Sequence, residues 1–464
     1  MWRKERDKMN LEQFWNRKIK PRFEEQILNA QVTLLNGKKV KYVNLDNAAT
    51  TKPFKAVVEM ISKNLVEYGS VHRGAGQHSK ISTDKYEKSR EAIGKFVGTS
   101  EKDYVIFTKN TTEAINQAAA LWKTFPGKIL VSDIEHSSSM LPWLKHQEIY
   151  QFKTKNSKFD LEDIERILRN YPGNIKLVVI TGASNVTGYK PPIHKIAGLA
   201  HKYRAKILVD VCQFLQHEKI DMLPDDHPEH IDFIAFSGHK MYAPFGAGVL
   251  VGPKSFFDRA IPYQIGGGNL PYITSENEVK RFNTVQTHDP GTPNAVGVWA
   301  MEAAIKELEE IGMENIKKYE HALVGLALAQ LRRLPNIKIY LPNGHGSIIP
   351  FDIEGLPDKL VAEILALEYG IGTRAGSFCT YELMRSLKNI SIQEDKIIGE
   401  EVDKGITANI PGLVRASFSI YNNVEDVNRL VIAIKKIAEK SFEYYKQNYR
   451  MNEKTGDWFP KSQS

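Results

Sequence analysis

The chain has 464 residues, of which 42% are apolar, 25% charged and 10% aromatic, with only two cysteines. That composition suits a globular protein of two or three folding units and excludes a disordered chain, a disulfide framework and a four-cysteine metal site. The 63 Lys and Arg outnumber the 55 Asp and Glu for a net charge of +8, and no apolar run reaches the length of about 18 residues needed for a spanning helix.

Residues 1–40 hold ten of the basic and five of the acidic residues, so the charge excess is concentrated at one end. Within this arm Leu11, Phe14, Trp15 and Ile19 share one helical face, interrupted at Pro21. A stripe of that kind docks on the protein's own core, and the basic residues read as a solvated face, not as a contact for nucleic acid. Charges stand where a secretory leader has its apolar stretch, and two cysteines need no oxidising compartment. Together these predict a cytoplasmic protein.

From Val40 onward short apolar runs alternate with helical stretches. Strands are expected at 104–108, 128–132, 176–181, 206–210, 232–236 and 248–252, with helices at about 84–97, 111–123, 160–170 and 192–203. Continuous apolar strands separated by amphipathic helices predict an α/β body with a mostly parallel sheet covered on both faces. After Pro293 a long helical region, 295–333, leads to strands near 336–341 and 346–353. A helix near 357–369, a strand near 413–420 and a helix at 424–446 follow, the order of a smaller α+β domain. The expected divisions are an arm over 1–40, a large domain over 41–300, a small C-terminal domain over 301–450 and a polar, frayed tail over 451–464.

Ligands bind an open α/β sheet beyond the carboxyl ends of its strands. The residues found there are Lys109-Asn110-Thr111-Thr112-Glu113, Glu135-His136-Ser137-Ser138, Ser184-Asn185-Val186-Thr187-Gly188, Asp210 with Gln213, and Ser237-Gly238-His239-Lys240. Taken singly, each has a plain structural reading: Thr111 as a helix start, Asp210 or His136 as a satisfied buried group. Taken together they match the needs of a phosphorylated pyridine aldehyde. A helix start behind hydroxyl side chains takes the phosphate. A carboxylate keeps a ring nitrogen protonated, an imidazole lies flat against the ring, and a lysine amine forms an imine with the aldehyde. His136, Asp210 and His239 make a poorer metal set, since H-x-x-x-H and C-x-x-C spacings are absent, and no metal is expected. The glycines 266–268 lack the dinucleotide-binding frame.

These stretches resemble the class V aminotransferase branch of the fold-type I pyridoxal-phosphate enzymes. Within it the chain is most similar to type II cysteine desulfurases of the SufS kind, also called selenocysteine lyases. The likeness runs from Tyr42 to about Ala438. It is carried by LDNAATTKP (45–53), SVHRGAGQHS (70–79), NTTEAIN (110–116), DIEHSSSMLPW (133–143), SNVTG (184–188), VDVCQ (209–213), FSGHKMYAPFGAGVL (236–250), PGTPN (290–294), RAGSFC (374–379) and VRASFSIYN (414–422).

The resemblance implies Lys240 as the lysine that binds pyridoxal phosphate, Asp210 as the partner of the ring nitrogen, Gln213 as that of the phenolic oxygen and His136 as the stacked imidazole. It implies Thr111, Thr112, Ser237 and His239 as phosphate-side residues. Thr292 would reach the phosphate from a second subunit of a homodimer. Asn185, Arg415, Arg374, His72 and Arg73 fall at substrate-binding positions, Arg415 as the carboxylate clamp. Cys379 matches the cysteine that takes sulfur from L-cysteine as a persulfide and leaves alanine, for delivery to a sulfur-acceptor protein. The alternative is another class V enzyme, a C–S lyase, aminotransferase or epimerase, in which Cys379 is not a nucleophile.

Four features depart from the pattern. Arg415 stands farther from Cys379 than in relatives, with an insert over 380–412. Ser377-Phe378 replace two histidines before the cysteine, and the triple glycine at 266–268 and the basic arm are additions. Cys212, beside Asp210, is expected to be an inert core thiol.

Overall fold

The computed structural model describes residues 10–145, 148–155, 157–268, 270–281, 283–342 and 346–461. The chain forms two compact units. The larger comprises Thr50–Ala183 and Lys190–Met313; the smaller comprises Met1–Ala49, Ser184–Tyr189 and Glu314–Ser464.

The larger unit is built on a seven-stranded sheet: β1 (Asp103–Thr108), β2 (Lys128–Ser132), β3 (Ile149–Phe152), β4 (Ile175–Thr181), β5 (Lys206–Asp210), β6 (Phe233–Ser237) and β7 (Gly248–Pro253). Their spatial order is β1-β7-β6-β5-β4-β2-β3. Only β7 runs against the others, pairing antiparallel with both β1 and β6. The six expected strands fall within one residue of their places. β3 was not expected, because IYQF is a half-exposed edge strand with no continuous apolar run.

The longer helices of this unit are α1 (Lys55–Val66), α2 (Gln77–Val97), α3 (Thr111–Trp122), α4 (Ser137–Leu144), α5 (Leu161–Asn170), α6 (Ile193–Lys202) and α7 (Ala295–Ile311). α2 begins seven residues before its expected start, since its first turns, QHSKIST, are polar and carry no apolar period. It stops at Gly98, whose φ of +76° suits a residue without Cβ. The expected helical region 295–333 is two helices, Ala295–Ile311 and Met313–Leu331, separated by Gly312 at φ +89°. Trp122, Trp143, Phe233 and Phe257 are buried in one cluster with the apolar residues of β1, β2, β4 and β5. Each such side chain contributes about 1.5–3 kcal/mol by leaving water.

The smaller unit has a four-stranded antiparallel sheet ordered Ile337–Ile339, Ile348–Ile353, Leu413–Ser417, Arg374–Gly376. Helices Met313–Leu331, Asp358–Tyr369 and Val424–Ala438 supply its core. Val43–Asn44 pairs in parallel with Ile371–Gly372, and Asp46 bridges to Ser417. These pairings tie residues 43–49, which a linear reading assigns to the large domain, to the smaller unit. The arm packs as its stripe predicts: Ile19 is fully buried, and Leu11, Phe14 and Trp15 rest on the core of this unit.

The tail expected to fray over 451–464 instead carries half of a β-hairpin, Tyr449–Met451 with Trp458–Pro460. Trp458 belongs to the core cluster and packs edge-on against Phe442 at 5.7 Å. A single anchoring tryptophan among polar residues leaves no alternation for a sequence reading to find. The insert holds two helices, Tyr381–Lys388 and Ile392–Asp403, the second started by a Ser391–Glu394 capping box.

Candidate active site

In the larger unit the parallel strands deliver their last residues to one edge. Asp210 ends β5 in register with Thr181 of β4 and Ala235 of β6. Its carboxylate is buried and accepts from the backbone N–H of Cys212 at 3.0 Å. Burial pushes its pKa up, and the positive charge of Lys240 pulls it back. Lys240 closes a one-turn 3-10 helix, Gly238–Lys240, directly after β6. The turn is pinned through the carbonyl oxygen of His239, which accepts from Thr51 N–H and from the Thr50 hydroxyl, each at 3.0 Å. Thr51 Oγ1 in turn accepts from Tyr242 N–H at 2.7 Å, holding Tyr242 at φ +64°. Burial, then the charge of Lys240, drops the His239 pKa to about 4, so its imidazole is neutral at pH 7.

Two helices begin at the same edge. α3 starts at Thr111 behind Asn110, which caps it by accepting from Glu113 N–H at 3.0 Å. Thr111 N–H donates to Ser237 Oγ at 2.8 Å, and the Thr111 hydroxyl lies 2.6 Å from Ser237 Oγ and 2.9 Å from Cys212 Sγ. α4 starts behind His136, whose Nδ1 accepts from Ser138 N–H at 3.1 Å, which leaves the ring proton on Nε2. The Ser138 hydroxyl meets the Thr112 hydroxyl at 2.8 Å and links the two helix starts. The hydroxyls of Thr111, Thr112 and Ser138 stand at two helix N-termini, whose dipoles favour negative charge. Thr111, Thr112, His136, Asp210, Ser237, His239 and Lys240 thus form one linked group, with Gln213 buried three residues beyond Asp210. Cys212 is partly buried and its thiol pKa is raised by burial, as expected of a core cysteine.

The smaller unit gathers a second group. Arg415 is buried and donates through Nη1 to the carbonyl oxygen of Asn185 at 2.9 Å and through Nη2 to Asp46 at 3.1 Å. Its Nε is buried with no hydrogen-bond partner. Desolvation lowers its pKa to about 10 against the opposing pull of Asp46. Arg374 lies opposite Arg415 across the antiparallel pair and donates to the other oxygen of Asp46 at 3.2 Å. Phe378 lies 4.6 Å from the Arg415 guanidinium.

Cys379 is exposed and sits, with Phe378, in consecutive left-handed conformations at φ +57° and +55°. Non-glycine residues rarely hold that geometry without support. The support is Asn185, whose Nδ2 donates to the carbonyl oxygen of Phe378 at 2.7 Å while its Oδ1 accepts from the Thr380 hydroxyl at 2.8 Å.

The remaining expected residues make contacts of their own. His72 Nε2 lies 2.6 Å from Glu87 and its ring packs edge-on against Tyr86. That joins it to a network with Arg90 and Asp289. Arg73 is exposed, its guanidinium lying over Gly268. Thr292 is exposed just before α7, on a loop tied by Gly291 N–H to Gly267 O at 2.7 Å.

Sequence reasoning missed the supporting residues. Glu135 is buried beside Asp210 and accepts from Ser132 at 2.5 Å, Ser139 at 3.0 Å and Thr181 N–H at 2.7 Å. Burial, reinforced by the charge of Asp210, pushes its pKa up to about 8. Thr51, Asp46 and Thr380 stand inside or next to stretches that were singled out, but nothing in their spacing tells a supporting residue from a contacting one.

Known proteins are similar to this chain over most of its length. The aminotransferase class-V family model matches residues 43–430. A probable cysteine desulfurase of Halalkalibacterium halodurans is 33% identical over 422 residues, covering 89% of this chain and 95% of that one. The cysteine desulfurase of Wigglesworthia glossinidia brevipalpis is 32% identical over 415 residues, covering 86% and 93%. Among solved structures, the apo cysteine desulfurase of Thermococcus onnurineus NA1 superposes with a TM-score of 0.76 at 30% identity, covering 86% of this chain and 95% of that one. The cysteine desulfurase CsdA of Escherichia coli gives 0.72 at 27% identity over 86% and 95%. The fold is that of the fold-type I enzymes. The chain belongs to the aminotransferase class-V family.

Proposed function

We propose that the protein is a pyridoxal-phosphate-dependent cysteine desulfurase that converts L-cysteine to L-alanine and carries the sulfur on Cys379. The observation that carries this reading is the exposed Cys379 on a strained turn, held by the Asn185 whose carbonyl oxygen also binds Arg415.

The donor set of the larger unit suits the cofactor. Thr111, Thr112, Ser138 and Ser237 would hold its phosphate, Asp210 its ring nitrogen, Gln213 its phenolic oxygen and His136 its ring face. A buried carboxylate with a cation nearby is the partner a pyridinium needs. Bound there, pyridoxal phosphate supplies an electron-withdrawing ring that makes the substrate's α-proton acidic. Lys240 anchors the cofactor and moves the proton at the substrate's α-carbon. Arg415 binds the substrate carboxylate, to which its unpartnered Nε offers a donor. The Cys379 thiolate bonds to the substrate sulfur as the carbon–sulfur bond breaks. The products are a cysteine persulfide and alanine.

Thr292, from a second copy, completes the phosphate site of a homodimer, and a sulfur-acceptor protein in the cytoplasm discharges the persulfide. Among the described residues no helix is long and apolar enough to cross a membrane. A class V enzyme in which Cys379 is not the nucleophile is favoured only by Ser377-Phe378, which place no imidazole next to the thiol in sequence. A panel of amino acids assayed for alanine and sulfide together separates the two. With L-cysteine, Cys379→Ala should retain the cofactor's visible absorbance and lose reductant-released sulfide; undiminished sulfide from that variant supports the second reading.

A further inference from the structure

At the opposite edge of the large sheet, where β5 and β6 begin, three side chains converge. His201 comes from the last turn of α6, while His230 and Asp232 immediately precede β6. Their ligand atoms all lie within 4.8 Å of one another. His201 Nε2 is 2.8 Å from Asp232 Oδ2, and His230 Nε2 is 3.2 Å from Oδ1.

Both rings direct Nδ1 at a backbone carbonyl oxygen, His201 at that of Pro228 (2.8 Å) and His230 at that of His227 (2.7 Å). A carbonyl only accepts, so each Nδ1 carries a proton and each neutral ring has its lone pair on Nε2. The rings are stacked, with centroids 4.2 Å apart and planes at 25°. Two imidazolium cations at that separation repel each other. Two neutral rings set both lone pairs against a carboxylate. One divalent cation between the three ligand atoms removes both conflicts. An Nδ1–H bound to a carbonyl is also the outer-layer contact that orients metal-binding histidines.

We propose that His201, His230 and Asp232 bind one divalent transition-metal ion, zinc being the best match to two imidazoles, one carboxylate and an open fourth position. Ligand atoms about 2.0–2.1 Å from a tetrahedral zinc stand about 3.4 Å apart, so binding calls for a closing movement of up to about 1.4 Å. Lys206 reaches Oδ1 at 2.6 Å, but its side chain is 52% exposed and is free to withdraw into solvent. The ion clips the end of α6 to the start of β6, away from Lys240 and Asp210. The sequence shows no familiar metal spacing because one ligand comes from a helix about thirty residues before the H-x-D pair.

The test titrates zinc into the holoenzyme against a chromophoric chelator, with His201→Ala and His230→Gln beside the wild type. Wild type should bind one equivalent at least about tenfold more tightly than either variant, and zinc should raise its Tm but not theirs. In EDTA both variants should match wild type in cofactor absorbance and turnover, which shows that they fold. Zinc affinity equal in all three proteins, or a Tm rise that survives in both variants, overturns the proposal.

Discussion

The Asn185 side chain donates to the carbonyl oxygen of Phe378 at 2.7 Å. Since Phe378 and Cys379 are both left-handed, this bond and its companion from Thr380 are what keep the thiol presented. Asn185→Ala should therefore let the turn relax while leaving the cofactor cradle of the larger unit intact. We expect kcat for sulfide release to fall by about 10²-fold, the usual consequence of displacing a reacting group by an ångström. Cofactor absorbance should be unchanged, and Thr380→Val should give a smaller loss in the same direction. An unaltered kcat in both variants would show that the turn holds itself.

Asp46 neutralises two guanidinium groups, Arg415 at 3.1 Å and Arg374 at 3.2 Å. In Asp46→Asn the buried Arg415 loses its counter-charge. Stability should drop by about 2 kcal/mol in denaturant titration. KM for the amino acid should shift more than kcat, because the affected group binds substrate. Arg374→Ala, which leaves the Arg415–Asp46 pair in place, should have the lesser effect on stability.

Glu135 gives the protein a pH signature. Its pKa of about 8 lies above the ordinary glutamate value of 4.5, so the folded protein keeps a proton that the unfolded chain has lost. Its contribution to stability is full below pH 4.5 and is lost as pH rises through 8. Glu135→Gln cannot ionise. Its Tm should fall less than that of the wild type between about pH 6 and about pH 9. Parallel Tm curves for the two proteins would place the Glu135 titration elsewhere.

The C-terminal hairpin contributes to stability. Trp458 is buried with Tyr449 in the core of the smaller unit, and Lys359 reaches Asp457 at 2.9 Å. Trp458→Ala should cost about 3–5 kcal/mol by chemical denaturation. A loss under about 1 kcal/mol would mean that the tail frays after all.

Much of this structure was legible because it is written in contiguous runs. Strands such as KLVVIT and KILVD carry uninterrupted apolar runs because a parallel strand is covered on both faces, and the chemistry lies at their ends. Asp210, Lys240 and His136 could thus be found by counting from strand ends. What stayed hidden is what depends on contacts between distant segments. Asn185 reads as a substrate residue from its motif, but no motif records that its side chain also bonds to residues 378 and 380. Glu135 is adjacent to a residue singled out, but its pKa follows from burial beside Asp210, which no spacing records. Residues 43–49 follow the arm in sequence and pair with 371–372 and 417 in space. The insert after Cys379 holds two helices.

In the proposed reaction sulfur passes from L-cysteine to the thiol at position 379. Mass spectrometry of the holoenzyme after brief incubation with L-cysteine, quenched by alkylation and digested, reads this directly. One added sulfur atom is expected on the peptide bearing Cys379, none on that bearing Cys212, and none on either in Lys240→Ala. Stoichiometric alanine with no sulfur on the Cys379 peptide would contradict it.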